Sequence, residues 1–248
     1  MRTLKISSVR DILEATAPQG ELIPGLLPAG GITILTAPPK TGKTLLACQM
    51  AIAVREGKSF LGFPAGPASP VLYLDRESRR DELETRFSLL QNDADDSFAI
   101  QFCQEVIHLS RVEDIDAVID AVQSGGYGLL IIDTLNTHMI GIDENDAGSV
   151  SVPLDALRRI QQSTGAAILV VAHAPKTESN GKIAAKTRGS NAITAVASTL
   201  LVLSTAGRAA GKLAVDSRFS APVTHTLARR SDGFWAAEEK EVKEKKVA

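Results

Sequence analysis

Cysteine is scarce in this 248-residue chain, and the two present, Cys48 and Cys103, lie far apart with no C-x-x-C pair. That excludes a disulfide framework and a cysteine-based zinc site. No apolar run approaches the roughly 20 residues that a bilayer span needs. The first residues, MRTLKISSVRDILEA, scatter Arg2, Lys5 and Arg10 through a mixed stretch without the apolar centre of a signal peptide. The expectation is a cytoplasmic protein with no membrane association. Neither sign of charge dominates, with 27 Lys and Arg against 29 Asp and Glu and a formal net charge of -2. A dedicated DNA-coating protein is usually basic overall, so any contact with nucleic acid must come from a local patch. There is no internal repeat and no linker long enough to divide the chain. One large domain over residues 1–237 is expected, followed by a charged tail at 238–248, disordered or a frayed helix.

A hydrophobic share of 44% is ample for a core. Short β-branched runs alternate with longer amphipathic stretches, the pattern of an α/β fold with a mostly parallel central sheet flanked by helices. The strand expectations are Ile32 to Thr36, Val71 to Leu74, Leu129 to Asp133 and Ala167 to Ala172. Helices are expected near 42–56, 79–91, 112–124 and 150–163. Leu129-Leu130-Ile131-Ile132 and Ile168-Leu169-Val170-Val171 are continuous apolar runs, as expected of central strands buried on both faces. After residue 198 the pattern turns to strand-like runs, Thr199 to Leu203, Leu213 to Val215 and Val223 to Leu227, read as an antiparallel C-terminal edge.

Directly after the first strand stands Ala37-Pro38-Pro39-Lys40-Thr41-Gly42-Lys43-Thr44, which fits G-x-x-x-x-G-K-[ST] with Ala in the first position. Backbone amides from Lys40 onward can converge on phosphates at the positive end of the following helix, where Leu45 continues the run. Lys43 would reach the β- and γ-phosphates of ATP, and the Thr44 hydroxyl would ligate Mg²⁺. Asp133 ends a buried strand at the carboxyl edge of the sheet, the place where open α/β sheets bind ligands, and suits a Mg²⁺-side acid. The alternative is an Asp that caps the next turn. Glu77, three residues past Leu74, is a candidate general base, with Asp75 as its rival. His173 closes the run Ala167 to Ala172 as either a γ-phosphate sensor or a satisfied structural histidine. Arg86, on the helix after Glu77, is placed for the outer face of the nucleotide.

The order of these motifs carries a family resemblance. Ile23-Pro24-Gly25-Leu26-Leu27-Pro28-Ala29-Gly30-Gly31 precedes the phosphate loop, and Val71-Leu72-Tyr73-Leu74 with Glu77 follows it. Ile132-Asp133-Thr134-Leu135, Asp143-Glu144-Asn145-Asp146-Ala147, Val170-Val171-Ala172-His173, Arg188-Gly189-Ser190-Asn191-Ala192 and Ser217-Arg218 complete the series. From about Val9 to Trp235 the chain resembles the RecA-like P-loop ATPases of the plasmid RepA replicative helicase type. The resemblance implies a RecA-like core and a homo-oligomer, a hexameric ring with ATP between subunits and single-stranded DNA in its channel. It also allows a replication protein as a further partner. It assigns Lys43 and Thr44 to phosphate and Mg²⁺, Glu77 to the catalytic base, Asp133 to the metal-side acid and His173 to the γ-phosphate sensor. It places Arg218 as the finger that reaches a neighbour's γ-phosphate, with Arg208 the runner-up and a surface pairing of Arg218 with Asp216 the alternative. Family members often carry an aromatic residue where this chain has Glu21, an acid where it has Ser78, and Lys where it has Asp216.

The basic segment Pro175 to Arg188, with Lys176, Lys182, Lys186 and Arg188, is the candidate DNA contact, or else an ordinary solvated loop. No aromatic residue interleaves these lysines, so base stacking is not expected there. Two function classes stay open: a motor on single-stranded DNA, and a regulatory or scaffold ATPase acting through a protein partner.

Overall fold

The computed structural model describes residues 8–10, 21–90, 100–142, 147–173, 195–207 and 209–238. Its elements run β1 (Ile32–Ala37), α1 (Lys43–Glu56), β2 (Val71–Asp75), α2 (Arg80–Leu90), β3 (Ile100–Cys103), α3 (Val112–Ser124) and β4 (Leu129–Asp133). A 3-10 turn (Leu135–His138), α4 (Ala147–Thr164), β5 (Ala167–His173), β6 (Thr199–Ala206), β7 (Ala210–Ser217), β8 (Ser220–Arg229) and β9 (Trp235–Ala237) follow.

All nine strands form one sheet in the order β3-β2-β4-β5-β1-β6-β7-β8-β9. From β3 to β6 every pairing is parallel, and from β6 to β9 every pairing is antiparallel. The sequence expectation of an antiparallel edge from residue 199 needs one correction. β6 runs parallel to β1, with Thr33 opposite Thr199, and the reversal begins only at β7. The strand expectations otherwise hold, each observed strand extending to the residue that ends the apolar run or beyond it.

Alternation along the strands splits the core into two layers. Ile32, Ile34, Leu130, Ile132, Ile168 and Val170 face α3 and α4, meeting Ile115, Val118, Leu154 and Leu157. Leu35, Leu129, Ile131, Leu169 and Val171 face α1, meeting Leu46, Met50 and Val54. A period of two on buried strands against helical faces on both sides is what an α/β sheet requires. The consequence for function is that β1, β2, β4 and β5 all present their carboxyl ends on one edge.

Candidate nucleotide site

The loop after β1 is shaped by two left-handed residues, Lys40 at φ 62° and Gly42 at φ 93°. Gly42 caps α1 without a side-chain hydrogen bond, and the first turn of α1 holds no acidic residue. The helix therefore presents its amides and the positive end of its dipole to the loop, as anion binding needs. Thr41 Oγ1 donates to the Pro38 carbonyl at 2.7 Å and holds the loop closed. Lys43 is 6% exposed and folds back, its Nζ donating to the carbonyls of Ala37 at 3.2 Å and Pro38 at 3.3 Å. Burial lowers its pKa from the usual 10.5, against the pull of Asp133 and Glu77 in the other direction.

The acids lie on the neighbouring strand ends, with Asp75 and Asp133 directly opposite each other in the β2–β4 register. Asp133 is fully buried; its Oδ2 accepts the Tyr73 hydroxyl at 2.8 Å, and the Thr44 side chain is near enough to favour its charged form. Its Oδ1 has no partner among the described residues. Burial pushes the Asp133 carboxyl up from 3.8 to about 6; Asp75 and Glu77 add to the rise, and the Tyr73 and Thr44 hydrogen bonds oppose it. The turn that follows has Thr134 at its cap with no side-chain hydrogen bond, so Asp133 is not a capping residue. A free carboxylate oxygen beside the Thr44 hydroxyl is a donor set suited to Mg²⁺. That ion is commonly held by one or two protein oxygens, phosphates and water. Among the described residues no group of three or more His, Cys, Asp and Glu forms a protein-only metal cage.

Asp75 and Glu77, the two candidates for the base, are oriented differently. Asp75 is fully buried, and its Oδ1 accepts the amides of Glu77 at 2.9 Å and Ser78 at 2.8 Å. It shapes the turn that carries Glu77, while its Oδ2 is buried without a partner among the described residues. Glu77 is about half exposed, with Oε1 3.5 Å from His173 Nε2. His173 in turn sits opposite Ala37 in the β1–β5 register, and its Nδ1 lies 3.3 Å from Lys43 Nζ. A lysine ammonium only donates, so Nδ1 accepts, and the remaining ring proton is assigned to Nε2, facing Glu77. Lys43, His173 and Glu77 thus form a line across three strand ends.

These groups open onto a cleft of about 580 Å³ lined by Pro39, Lys40, Gly42, Lys43, Thr44, Leu45, Glu77, Arg86 and His173, among others. Arg86 Nη1 donates to Ser78 Oγ at 2.8 Å and pairs with Glu82 at 3.6 Å.

Residues 1–179 match the AAA domain family. The chain belongs to that family. Its fold is RecA-like: a solved structure described as an "ATPase Domain" superposes with a TM-score of 0.69 at 12% identity, covering 95% of this chain and all of the other. "The Structure Of A DnaB-Like Replicative Helicase And Its Interactions With Primase" superposes with a TM-score of 0.68 at 13% identity, covering 95% of this chain and 68% of the other. No described helix is long and apolar enough to cross a membrane.

Two further features of this AAA domain bear on its site. Arg218 is exposed in the β7–β8 turn, its guanidinium donating to the Ala195 carbonyl at 2.6 Å. Its neighbour Ser217 lies level with Thr199 and hence with Thr33, at the amino end of the parallel strands. The cleft lies at the carboxyl end, roughly 15 Å away along the strands, so Arg218 cannot serve its own chain's site. No ion pair with Asp216 forms among the described residues. Conversely, Arg229, Asp232, Gly233 and Phe234 line the cleft, and the sequence reading missed all four. No motif marks them; the only local signal is the turn-forming Ser231-Asp232-Gly233 before the last strand. Lys176, Lys182, Lys186, Arg188 and Arg208 lie outside the described residues, as does the tail from 239.

Proposed function

We propose that this AAA domain, spanning residues 1–237, is an ATP-hydrolysing motor of the hexameric replicative-helicase kind, RepA-like in motif order, that acts on single-stranded DNA. The observation that carries it is the line Lys43–His173–Glu77 above Asp133 and Thr44, all at one sheet edge beside an uncapped helix N-terminus. The likeness to helicase ATPase domains supports the motor class.

Lys43 has two weak carbonyl partners that a β- or γ-phosphate oxygen would replace with a charge-assisted bond. The Thr44 hydroxyl and Asp133 Oδ1 would hold Mg²⁺, which supplies charge neutralisation along the phosphates. Glu77 takes the proton of the attacking water as that water adds to the γ-phosphorus and the bond to the bridging oxygen breaks. His173 loses Lys43 as a neighbour when Lys43 turns to phosphate, which frees its ring to report γ-phosphate to the strand β5. Arg218 serves the cleft of a neighbouring subunit. Lys176, Lys182, Lys186 and Arg188 track the DNA backbone.

The test is native mass measurement with and without ATP and single-stranded DNA, joined to a forked-duplex unwinding assay. A ring that unwinds, with ATPase activity raised by single-stranded DNA and the stimulation fading with salt, is the expected result. Hydrolysis without stimulation or unwinding would favour the second reading, a regulatory or scaffold ATPase. Asp216 in the place of the family's Lys before Arg218 is the feature that favours it.

A further inference from the structure

The hairpin between β8 and β9 brings a second arginine to the phosphate loop from the antiparallel side of the sheet. Arg229 closes β8 opposite Trp235 on β9. Its Nε donates to the Gly233 carbonyl at 2.8 Å, and its guanidinium lies 5.4 Å above the centre of the Trp235 ring. Both contacts fix it in place. Its Nη2 stands 3.6 Å from where a β-carbon on Gly42 would be, and the Trp235 indole Nε1 stands 3.2 Å from the same point. Trp235 is 2% exposed, and that Nε1 has no acceptor among the described residues. The strand is bolted to α1 by a two-way bond: Trp235 N donates to Gln49 Oε1 at 3.1 Å, and Gln49 Nε2 donates to the Trp235 carbonyl at 3.0 Å.

The charge of Arg229 is uncommitted. Among the described residues it makes no ion pair, because Asp232, the acid in the same hairpin, is held by Arg230 at 2.7 Å. Arg229 instead lines the cleft beside Gly42 and Lys43. A guanidinium fixed by a carbonyl and a ring, next to an orphaned indole N–H and an uncapped helix end, makes a concentration of donors and positive charge with no anion of its own. Its direction of approach selects the part of the ligand. Glu77 and His173 line the cleft from the ends of β2 and β5, on one side of β1, whereas Arg229 comes from β8 on the other.

We infer that Arg229 is a nucleotide-binding residue of this chain's own cleft, contacting the α- and β-phosphates on the side away from Glu77 and His173. The inference rests on the nucleotide-site reading above. Because Arg229 stacks on Trp235, the sole tryptophan of the chain, binding there also changes the surroundings of the indole.

The experiment is calorimetric titration of the full chain with MgADP and MgATP, with Trp235 fluorescence followed in parallel. Arg229→Ala should weaken both nucleotides by the same factor, about tenfold to a hundredfold, as loss of a charge-assisted bond implies. Arg229→Lys should recover part of that loss. Wild type should show a fluorescence change on MgADP alone. ADP affinity within twofold of wild type in Arg229→Ala, or a loss confined to ATP, overturns the inference. Where Arg229→Ala lowers the nucleotide-free melting temperature, Arg229→Gln replaces it and the same ADP ratio decides. Wild type that binds neither nucleotide would instead overturn the nucleotide-site reading itself.

Discussion

Replacing Asp133 with Asn should make the nucleotide-free protein more stable while disabling the proposed Mg²⁺ site. The Asp133 carboxyl is buried against the layer that faces α1, with one oxygen unpartnered and Asp75 opposite it. Its pKa stands at about 6 instead of 3.8, which sets about 3 kcal/mol against the charged form at neutral pH. An amide of the same shape can still accept the Tyr73 hydroxyl through its oxygen. The figure of about 3 kcal/mol is already net of the Tyr73 and Thr44 interactions, which oppose the rise, so the expected gain is about 2–3 kcal/mol. The sign follows from proton binding. The folded carboxyl holds its proton more tightly than the unfolded chain does, so wild-type stability falls as pH rises from 3.8 through about 6 and then levels. Urea denaturation of both proteins without Mg²⁺ or nucleotide, near pH 4 and near pH 7.5, measures the gap. Asp133→Asn should be close to wild type at the lower pH and more stable at the higher. The same gap at both pH values, or a less stable variant near pH 7.5, would refute the reasoning. MgADP should raise the melting temperature of wild type well beyond ADP alone, and that Mg²⁺ increment should vanish in the variant.

Glu77→Gln should lower ATP turnover by about 10²–10⁴-fold while ADP affinity stays within twofold, as removal of proton acceptance alone implies. A native rate in that variant would exclude Glu77 as the base and turn the test to Asp75, whose Oδ2 has no partner among the described residues. Gly42→Ala must take a left-handed conformation and push against the Trp235 indole, so a loss of at least about 1–2 kcal/mol is expected in denaturant titration. Unchanged stability there would mean that the hairpin yields freely. An Arg218→Ala chain and a Lys43→Ala chain, each inactive alone, should regain part of their ATPase activity when co-assembled. No recovery in verified mixed assemblies, or full activity of Arg218→Ala alone, refutes the shared site.

β2, β4 and β5 were legible because each is a continuous apolar run that stops at a polar residue, and the polar residue at or just past each stop is a candidate site residue. Asp133 and His173 end their strands, and Glu77 sits just past one, so locating the strands located the candidate residues. β3 escaped notice because it is an edge strand of four residues, Ile100-Gln101-Phe102-Cys103, with exposed positions in its middle. β9 is three residues long and has no pattern of its own; its partner across the hairpin and Gln49 on α1 hold it in place. Arg229 was invisible for the same reason. It is separated from Gly42 by most of the chain, and only the sheet order brings the two together. The direction of β6 was equally hidden, since parallel and antiparallel strands can share the same apolar composition.

The cleft and the Arg218 turn lie at opposite ends of the strands, one on each rim of the sheet. A neighbour that offers its Arg218 to this cleft must therefore stand head to tail with this chain. A two-fold pair that matched one face with itself could not satisfy the contact unless both chains reached round each other. Head-to-tail contacts propagate, each chain giving at one rim and receiving at the other, until the rotation closes or a filament grows. In a closed assembly every catalytic centre would then have one upstream and one downstream neighbour. A phosphate lost at one centre would release an arginine belonging to a known side, so the circuit would have a built-in sense of rotation before any track is engaged.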